Sequence, residues 1–590
     1  MPRVTHLMFN RLRIPDLVEA VYQHQFQSQT IRAIDSITPF RTGVVDSEKS
    51  WSELASSSLL LKAVSSWRED PENWLEGSFE RLPETVRVNP LRPDREWVEE
   101  WISQHGGEAV PWFNGPGSAW EFPFNRGSAE GKTREILVAL HETGRITRQE
   151  VVSMIPVLAL QVTHGELVLD MCASPGSKTT QISECLGESG AVFANEISNS
   201  RANTLVSNIH RHGSKSVVVI NHDGRHLPNI PERGFDKVLV DAPCTGSATT
   251  RKNPEVWHKW SPDGGRSLHD LQIELLRKAV RLARPGGRIV YSTCSLDPVE
   301  NEAVVAEIIR SEPGLELISA SDILPGLPGR NGFQTWDTLD SNAEPSQDIV
   351  LKESMLPPKE SEICDSLQRC MRIWNDDIGG GGFFISIIQK PQRDSAEPMG
   401  VELTKRQDSV KPDMPSSPQP IEESLRGSIE EKWGPMPKEL WLRGKKILWA
   451  NPEIKSVWSS ERRIRNGRVT IPGGRWRPLR VVHLGKELAR VRKGEADRVI
   501  GKSCRELSKT LSKGLSVVSE ESLDSFLQDK SISKEEVGIP SGISGGHILV
   551  SESDAVPVWV GDRVTLMLND QEVLIRMTQR GLKNDDKGQI

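Results

Sequence analysis

Short apolar runs alternate with helical segments through the middle of the chain. Five of these runs have the pattern of strands that are buried on both faces: GELVLDM, AVFANE, SVVVIN, FDKVLVDAP and GRIVYSTC. Three helical segments lie between them: SKTTQISECL, NSRANTLVSNIHRHG and HDLQIELLRKAVRLARPGG. This alternation predicts an α/β fold with a doubly wound, Rossmann-like parallel sheet, which we assign to residues 161–390.

The residues before this sheet divide into two regions. Residues 1–75 contain helical patches without recognisable chemistry, so we predict a helical extension of unknown role. Residues 76–160 have a mixed pattern that predicts an α+β extension, and this extension ends in the helical run GRITRQEVVSMIPVLAL. In that run, Thr147 and Glu150 have the spacing of a helix-capping box.

The last buried run is followed by an insertion and a linker. A loop-rich stretch of roughly 60 residues separates the segment LELIS from a closing strand, GGFFISIIQ. Because structureless loops of this length are uncommon inside domains, residues 320–380 are predicted to form an insertion or a lid. Residues 391–432 are rich in proline, serine and charge, which predicts a flexible linker.

The remaining residues, 433–590, are predicted to form a small, basic, β-rich region. Between Trp433 and Lys513 there are roughly 21 Lys and Arg against 7 Asp and Glu, although the whole chain has a net charge of -7. A solvated basic face is one interpretation of this asymmetry. A surface that contacts a nucleic-acid backbone is the other, and we favour it because of the candidate chemistry in the middle of the chain.

Composition limits the class of protein further. No apolar stretch is long enough to cross a membrane, and charged residues interrupt the first 17 positions, unlike a secretory signal. Seven scattered cysteines do not form a disulfide framework, and free thiols suit a reducing compartment. We therefore expect a cytoplasmic monomer, or a nuclear one in a eukaryote, without membrane association. No Cys/His cluster has zinc spacing, so no metal site is predicted.

Three predicted strand ends carry residues that suit an adenosine-bearing cofactor. The loop DMCASPGSKT, from Asp170 to Thr179, joins a strand to a helix, where doubly wound folds bind ligands. Glu196 follows about 20 residues later, at the position where a carboxylate accepts hydrogen bonds from a ribose. Alone it would be an ordinary solvated side chain, but beside this loop it is a candidate ribose ligand. Asp223, after the third strand, is placed to meet an adenine amino group.

Two cysteines follow the fourth and fifth strands, in Asp241-Ala242-Pro243-Cys244 and Ser292-Thr293-Cys294-Ser295. A single buried cysteine usually fills a core. Two cysteines at the carboxyl ends of adjacent parallel strands instead point into the same crevice, beside the cofactor loop. We therefore predict that both thiols and Asp241 are catalytic. Their spacing alone does not decide which thiol is the nucleophile.

These motifs resemble those of a known family. DMCASPGSKT, FANEISNSR, FDKVLVDAPCTGSATTRKNPEVWHKW and YSTCSLDPVENEAVV are similar, in order and spacing, to the Nop/Sun-type RNA cytosine-5 methyltransferases. The runs GRITRQEVVSMIPVLAL and RKNPEVW and the later C-x-R-x-W…GGFF block look most like its tRNA-modifying branch. The resemblance covers roughly residues 80–390. The C-terminal region is more weakly similar to the PUA-like RNA-binding extension of that branch.

The resemblance implies methylation of carbon 5 of cytosine in RNA, with S-adenosyl-L-methionine as cofactor and tRNA as the expected partner. Cys294 would attack the base and Cys244 would assist product release. Asp241 would hold the N3/N4 edge of the base, and Lys178 would reach the base or the cofactor carboxylate. The pocket for the cofactor would be lined by Cys172, Ala173, Ser174, Pro175, Gly176, Ser177, Lys178, Glu196, Asp223 and Asp241. Residues 76–160 would form an RNA-binding segment.

The chain also departs from the family pattern. Ser174 and Ser177 stand where the family commonly has Ala and Gly, although Ser at the second position is usual in the tRNA branch. Thr245-Gly246-Ser247-Ala248 replaces Ser-Gly-Asp-Gly, so the base pocket is expected to be reshaped without loss of a catalytic position.

Four alternative functions stay open: methylation of cytosine in rRNA, of DNA or of an exocyclic amine, and a non-catalytic RNA-binding assembly factor. The tetrapeptide that serves amine methylation is absent, since Asp-Ala-Pro-Cys stands in its place. The resemblance and the second cysteine disfavour DNA. The presence of Lys178, Asp241 and both cysteines argues against a pure binding protein.

Overall fold

The computed structural model describes residue 55 and residues 57–582, except 232, 393–415, 460–461, 464–469, 472–475 and 477–478. Its helices are α1 (Leu59–Trp67), α2 (Pro71–Gly77), α3 (Arg95–Gln104), α4 (Gly131–Glu142), α5 (Ile155–Leu160), α6 (Ser177–Leu186), α7 (Asn199–His212), α8 (Val256–Lys259), α9 (Pro262–Leu282), α10 (Glu302–Ser311), α11 (Ala320–Ile323), α12 (Ser361–Leu367), α13 (Glu423–Trp433), α14 (Pro452–Trp458), α15 (Gly501–Leu507), α16 (Glu520–Asp529), α17 (Lys534–Val537) and α18 (Asp570–Gln579). Among the described residues, none of these helices has the length and apolar character needed to cross a membrane.

The strands fall into three groups along the chain. The first is β1 (Pro83–Val88), β2 (Glu108–Ala109), β3 (Ser118–Asn125) and β4 (Ile146–Arg148). The second is β5 (Leu167–Asp170), β6 (Ala191–Asn195), β7 (Val217–Ile220), β8 (Phe235–Asp241), β9 (Ala283–Thr293), β10 (Glu316–Ile318), β11 (Arg330–Asn331), β12 (Met371–Ile373) and β13 (Phe383–Gln389). The third is β14 (Gln419–Pro420), β15 (Leu440–Arg443), β16 (Lys446–Trp449), β17 (Arg462–Arg463), β18 (Thr470–Ile471), β19 (Val481–Leu484), β20 (Lys486–Arg492), β21 (Glu495–Val499), β22 (Leu515–Val517), β23 (Ser531–Ser533), β24 (Gly545–Val550), β25 (Ala555–Val560) and β26 (Arg563–Leu566).

The central sheet has ten strands, and its five parallel members lie in the order β7-β6-β5-β8-β9. This is the doubly wound order, in which the chain starts in the middle and changes direction between β5 and β8. The predicted Rossmann-like α/β fold is therefore confirmed, and all five buried runs form its strands. Antiparallel β13 continues the sheet beyond β9.

Alternate residues of the central strands enter two different apolar cores. Leu169 and Phe193 belong to the core on one face of the sheet, whereas Val168 and Val192 belong to the core on the other. Because side chains alternate along a strand and helices cover both faces, every residue of β5, β6 and β7 is buried. This double burial explains why these strands appear in the sequence as continuous apolar runs.

The region before the central sheet is a four-stranded sheet of order β2-β3-β1-β4. With α3 and α4 it has the β-α-β-β-α-β order of a split βαβ, ferredoxin-like unit. It is fastened to the central domain by Arg87 of β1, which is fully buried and donates to the Glu184 carboxylate of α6 at 2.6 Å. His212 lies 2.9 Å from the same carboxylate. A buried charge without such a partner would be strongly destabilising.

The predicted capping box is wrong. Thr147 lies in β4, which pairs antiparallel with β1, and the following 3-10 helix begins at Val151. The Glu150 carboxylate does not cap that helix but accepts a hydrogen bond from the backbone of Gly381, at 2.9 Å. The run GRITRQEVV therefore starts as a strand, and β pairing with a distant partner overrides the local capping pattern.

Helices α1 and α2 are the described part of the predicted helical extension. Their Trp67 and Trp74 contact Trp260 and Trp257, with ring centroids 5.8 Å and 5.4 Å apart. Trp74 also lies 6.5 Å from Trp374. These helices therefore pack against two segments of the central domain: α8 with the residue after it, and the stretch between β12 and β13.

The segment 320–380 is not a structureless loop. It contains α11, α12, β11 and β12, and β12 pairs with β13 to extend the central sheet. Arg372 of β12 is buried and donates to the Glu302 carboxylate at 2.6 Å. These elements are too short to produce a recognisable period in the sequence.

The C-terminal region differs from the prediction at its beginning. Residues 393–415 of the predicted linker lie outside the described residues. Residues 423–433 form helix α13, which buries Ile429 and Trp433 against the C-terminal core. The charged residues between these two positions made this segment resemble a linker.

The C-terminal strands form two five-stranded sheets and a two-stranded one, with helices packed between them. One strand belongs elsewhere: β19 pairs antiparallel with β7 and completes the central sheet. The C-terminal region is thus joined to the central domain by backbone hydrogen bonds. The sequence did not predict this connection, because β19 is short and lies far from β7 in the chain.

We expect Trp74→Ala to lower the free energy of unfolding by about 3–5 kcal/mol, because the indole is 1% exposed and contacts two other tryptophans. Urea denaturation followed by circular dichroism measures this change. Val517→Ala, at a side chain 79% exposed, is the control and should change stability by less than about 0.5 kcal/mol. Equal stability of the two variants would contradict the role of the tryptophan cluster.

Candidate active site

The carboxyl ends of the parallel strands meet at one edge of the central sheet. Asn195, at the end of β6, ties three of these ends together. Its side-chain amide donates to the carbonyl oxygens of Met171 and His222, both at 3.0 Å. Because these carbonyls follow β5 and β7, a single side chain fixes the loops on both sides of β6.

The predicted cofactor loop runs from β5 into α6 along the side of α7. Its members between Asp170 and Lys178 are Met171, Cys172, Ala173, Ser174, Pro175, Gly176 and Ser177. The Ser174 hydroxyl donates to the carbonyl oxygen of Arg201 at 3.1 Å. Gly176 has φ +111°, and an added Cβ would lie 2.7 Å from the Leu205 side chain. The loop therefore requires glycine at this position for both conformation and space.

Glu196 and Asp223 follow β6 and β7 at the same sheet edge. Glu196 is buried and accepts a hydrogen bond from the backbone of Ser198 at 2.8 Å. Burial raises the pKa of Glu196, and the guanidinium of Arg201 opposes that rise. Asp223 is more exposed, and its carboxylate is bound by Arg225 at 2.7 Å. Each carboxylate thus has a guanidinium beside it, but Arg201 Nε lies 3.5 Å from Glu196 and leaves it more acceptor capacity than the closer Arg225 leaves Asp223.

Lys178 and Asp241 form an ion pair between α6 and the end of β8. The Lys178 ammonium donates to Asp241 Oδ2 at 2.8 Å and to the Ser153 hydroxyl at 2.9 Å. Ser292 donates to the other oxygen of Asp241, also at 2.9 Å. Burial by itself would lower the pKa of Lys178, but the Asp241 carboxylate outweighs burial and raises it. Both oxygens of the carboxylate are therefore oriented by donors.

The two predicted catalytic cysteines meet. Cys244 follows β8, Cys294 follows β9, and their sulfur atoms are 3.2 Å apart. Both are free thiols with half-buried side chains. The hydrogen bond with Cys294 and burial together raise the pKa of the Cys244 thiol well above its usual range. The Cys244 thiol is accordingly protonated at neutral pH.

Glu300 holds the two cysteine loops together. Its carboxylate accepts hydrogen bonds from the backbone and hydroxyl of Thr245, at 2.9 and 2.5 Å, and from the hydroxyl of Ser295, at 2.5 Å. Gln272 of α9 donates to it at 3.0 Å. Since Thr245 and Ser295 directly follow the two cysteines, one buried carboxylate fixes the separation of the sulfurs.

A cavity of about 450 Å³ opens at this edge, and its lining includes Lys178, Asp241, Cys294 and Phe383. This volume falls within the range of about 300–1,000 Å³ that is usual for small-molecule sites. Pro175, Gly176 and Ser177 of the loop lie on one wall, and residues of β4 lie on another. The cavity therefore brings part of the predicted cofactor loop, the ion pair and the Cys294 sulfur to a common space.

Sequence reasoning missed three contributors to this site. Ser153 and Phe383 contact Lys178, the latter with its ring centroid 5.4 Å from the ammonium. Glu300 lies in the quoted segment YSTCSLDPVENEAVV, six residues after Cys294, and this proximity to the cysteine was a usable signal. The other two carried none, because their distance along the chain hides the contact.

Within the described part of the chain, no group of three or more His, Cys, Asp and Glu side chains is arranged to hold a metal ion. The chemical groups that the site does offer are two thiols, one ammonium–carboxylate pair and the buried Glu196 carboxylate that follows β6.

Comparison with known proteins identifies relatives. The profile of the family described as 16S rRNA methyltransferase RsmB/F matches residues 157–333. A multisite-specific tRNA:(cytosine-C(5))-methyltransferase of Saccharomyces cerevisiae is 38% identical over 305 residues, which are 48% of this chain and 44% of that protein. A tRNA (cytosine(34)-C(5))-methyltransferase of Drosophila melanogaster is 34% identical over 379 residues, which are 57% of this chain and 50% of that protein. The chain thus spans about half the length of these two relatives.

A bacterial relative is covered more completely. Ribosomal RNA small subunit methyltransferase F of Aliivibrio fischeri is 31% identical over 376 residues, which are 63% of this chain and 70% of that protein.

The pKa of Asp170 generates a prediction about stability. Burial raises this pKa from 3.8 to about 7, so between these values the folded chain holds a proton that the unfolded chain has lost. The free energy of unfolding should therefore fall as pH rises from about 4 to 7, by up to roughly 4 kcal/mol from this residue. Asp170→Asn should remove this residue's share of the fall in the free energy of unfolding with pH.

Urea denaturation of both proteins across this pH range measures the difference. The pKa of Asp297 is also raised to about 7, mainly by burial and then by Glu300. This residue changes the free energy of unfolding with pH in the same direction in both proteins. Its contribution therefore cancels in the comparison. Parallel pH profiles for the wild type and Asp170→Asn would contradict the prediction.

Proposed function

Because the chain belongs to the family described as 16S rRNA methyltransferase RsmB/F, we propose that it methylates carbon 5 of cytosine in RNA, with tRNA as substrate and S-adenosylmethionine as methyl donor. The observation that carries this proposal is the 3.2 Å separation of the Cys244 and Cys294 sulfurs beside the Lys178–Asp241 pair. A binding protein would have no need for two thiols at this position. The tRNA-modifying relatives support the choice of substrate.

The arrangement suits covalent catalysis on a pyrimidine. The Cys294 thiolate adds to C6 of cytosine, which makes C5 nucleophilic enough to take the methyl group that S-adenosylmethionine supplies. Asp241 faces the N3/N4 edge of the base, and the Lys178 ammonium that it holds there stabilises the negative charge that develops on the ring. As the C6–sulfur bond breaks, Cys244 donates its proton to the Cys294 sulfur, and the Cys244 thiolate so formed takes the C5 proton, which restores the aromatic base and both thiols. Cys244 assists this last step.

The choice of Cys294 as nucleophile rests on the position of its sulfur, and the neighbouring Cys244 thiol supports it. Cys294 lines the cavity that also holds Lys178 and Asp241. Cys244 has a raised pKa, caused by its hydrogen bond with Cys294 and by burial, so it keeps a proton that it can donate to the Cys294 sulfur. A protonated neighbour stabilises that sulfur as a thiolate and as a leaving group.

The donor set at the strand ends fits an adenosine-bearing methyl donor. We assign its pocket to Cys172 through Lys178, Glu196, Asp223 and Asp241, with the Glu196 carboxylate on the ribose. The buried Glu196 has acceptor capacity left, and the Gly176 backbone allows close approach of a ligand. Asp223 would have to share its carboxylate between Arg225 and the adenine. A cytoplasmic or nuclear monomer stays a prediction.

A ribosomal RNA is the second candidate substrate. The observation that favours it is the bacterial relative, which acts on small-subunit ribosomal RNA by its name and of which this chain spans 70%. The chemistry of the two thiols would be the same on either RNA. Methylation assays with total tRNA and with small-subunit rRNA as separate substrates distinguish the two.

We expect Cys244→Ala to accumulate a covalent enzyme–RNA adduct, because the step that breaks the C6–sulfur bond loses its assisting thiol. Incubation with S-adenosylmethionine and labelled tRNA, followed by a denaturing gel, detects the adduct as a slow band. Cys364→Ala is the matched control, since Cys364 is a half-buried free thiol elsewhere in the chain. It should release RNA like the wild type. Absence of any adduct, together with absence of product from the wild type, would favour a binding protein.

Cys294→Ala should abolish both the adduct and the methylated product, with a loss of rate of at least about a thousandfold, since it removes the nucleophile. Liquid chromatography and mass spectrometry of digested RNA measure 5-methylcytidine directly. Surviving methylation in this variant, with loss in Cys244→Ala, would assign the nucleophile to the other sulfur.

A further inference from the structure

The cavity that contains Cys294 is lined by five cationic side chains and only two carboxylates. Three of the cations have carboxylate partners. Lys178 is paired with Asp241, Arg148 with Glu84 at 2.8 Å, and Arg211 with Glu142 at 3.4 Å. The remaining two are Arg126 and Lys252, and neither has a carboxylate within 4.0 Å among the residues that the structure describes.

Arg126 and Lys252 are exposed, yet their backbones are firmly held. Arg126 follows β3, and its backbone N–H donates to the Leu82 carbonyl at 2.8 Å. Lys252 follows Arg251, whose guanidinium donates to the carbonyls of Glu80 and Arg81 at 3.0 and 3.1 Å. One short segment, residues 80–82, therefore anchors both positions, although they belong to different domains.

Their setting favours a particular ligand. A base that reaches Cys294 must leave its stack, as bases do in enzymes that act on them. The phosphates of that nucleotide and its neighbour then remain at the mouth of the cavity. Arg126 and Lys252 can bind an anion without giving up an existing ion pair, whereas Arg148 and Arg211 cannot. Binding by them also adds no cost of ordering the backbone, because residues 80–82 already hold it.

We propose that Arg126 and Lys252 bind the two phosphates that flank the target cytidine, so that the site accepts an unpaired RNA segment with its base turned into the cavity. This inference rests on the proposed RNA substrate and deepens it. The two cations act as positioning residues for the base. They do not contact the reacting atoms, so their loss weakens binding of RNA and leaves the chemical step intact.

Arg126→Gln and Lys252→Gln test the assignment. The probe is a short, fluorescein-labelled, cytosine-containing single-stranded RNA, whose binding to the full chain is followed by anisotropy at several salt concentrations. Each variant should bind it roughly tenfold more weakly at low salt, because a charge-assisted hydrogen bond is lost. The slope of log affinity against log salt should fall by about 0.7 per residue. Lys252→Arg and Arg126→Lys keep the charge and should keep most of the slope.

Arg281→Gln is the matched control. Arg281 is an exposed arginine one residue before the end of α9, just before β9 begins, and so lies at the sheet edge opposite the cavity. The Arg281→Gln variant loses the same charge and should not change the slope of log affinity against log salt. Affinity for S-adenosylmethionine, the rate at saturating RNA and the melting temperature should stay at wild-type values in all these variants.

The possible outcomes distinguish failure of the phosphate assignment from failure of the proposed function. If the wild type methylates RNA and the Gln variants bind it like Arg281→Gln, the phosphate assignment is overturned and the proposed function stands. If the Gln variants lose rate at saturating RNA but not affinity, these residues belong to the chemistry and the assignment is equally wrong. If the wild type neither binds nor methylates RNA, both proposals fail.

Discussion

The parallel pairing of β8 with β9 is the constraint on which the candidate site depends. Asp241 and Ser292 are partners in this ladder, so the two chain segments leave the sheet side by side. Cys244 lies three residues beyond the first partner and Cys294 two residues beyond the second. A shift of the register by one residue would turn Asp241 to the opposite face of the sheet and separate it from Lys178. Glu300 adds a second restraint at the level of the loops, since it binds the residue after each cysteine.

Buried ion pairs connect the outer parts of the chain to this sheet. Arg87 with Glu184 fastens the four-stranded sheet to α6, and Arg372 with Glu302 fastens β12 to α10. Such pairs contribute little net stability over apolar residues of the same shape, but each is strongly unfavourable if one partner is missing. They therefore act less as a source of stability than as a restriction on the arrangement. The N-terminal sheet can dock only where its guanidinium finds the Glu184 carboxylate.

Much of the fold and site could be predicted from the sequence, because both depend on regular patterns. Because β5 to β9 are buried on both faces, they appear in the sequence as apolar runs, and the carboxyl ends of parallel strands lie at a common edge. The convergence of Asp241, Cys244 and Cys294 then follows from topology alone. What could not be predicted depends on long-range partners. Phe383 contacts Lys178 across some 200 residues, β19 pairs with β7, and Thr147 entered a strand because β1 lay beside it. No local period encodes such partners.

The roles of the Lys and Arg side chains were equally hard to predict from the sequence. The density of Lys and Arg between residues 433 and 513 led to the expectation of a nucleic-acid surface there, yet several of these cations serve the fold. Lys502 is half-buried and donates to the carbonyls of His210 and Arg211 at the end of α7, where a cation also offsets the helix dipole. Lys486 is bound by Glu506, which also binds Lys215 beside β7 at 2.8 Å. These contacts fasten the C-terminal region to the central domain. An anion in solution is attracted by charge that is not already neutralised. At the cavity, the two cations without a carboxylate partner among the described residues are Arg126 and Lys252, which lie outside the basic stretch. The density of Lys and Arg along the chain is therefore not by itself a measure of the charge that is available to an anion.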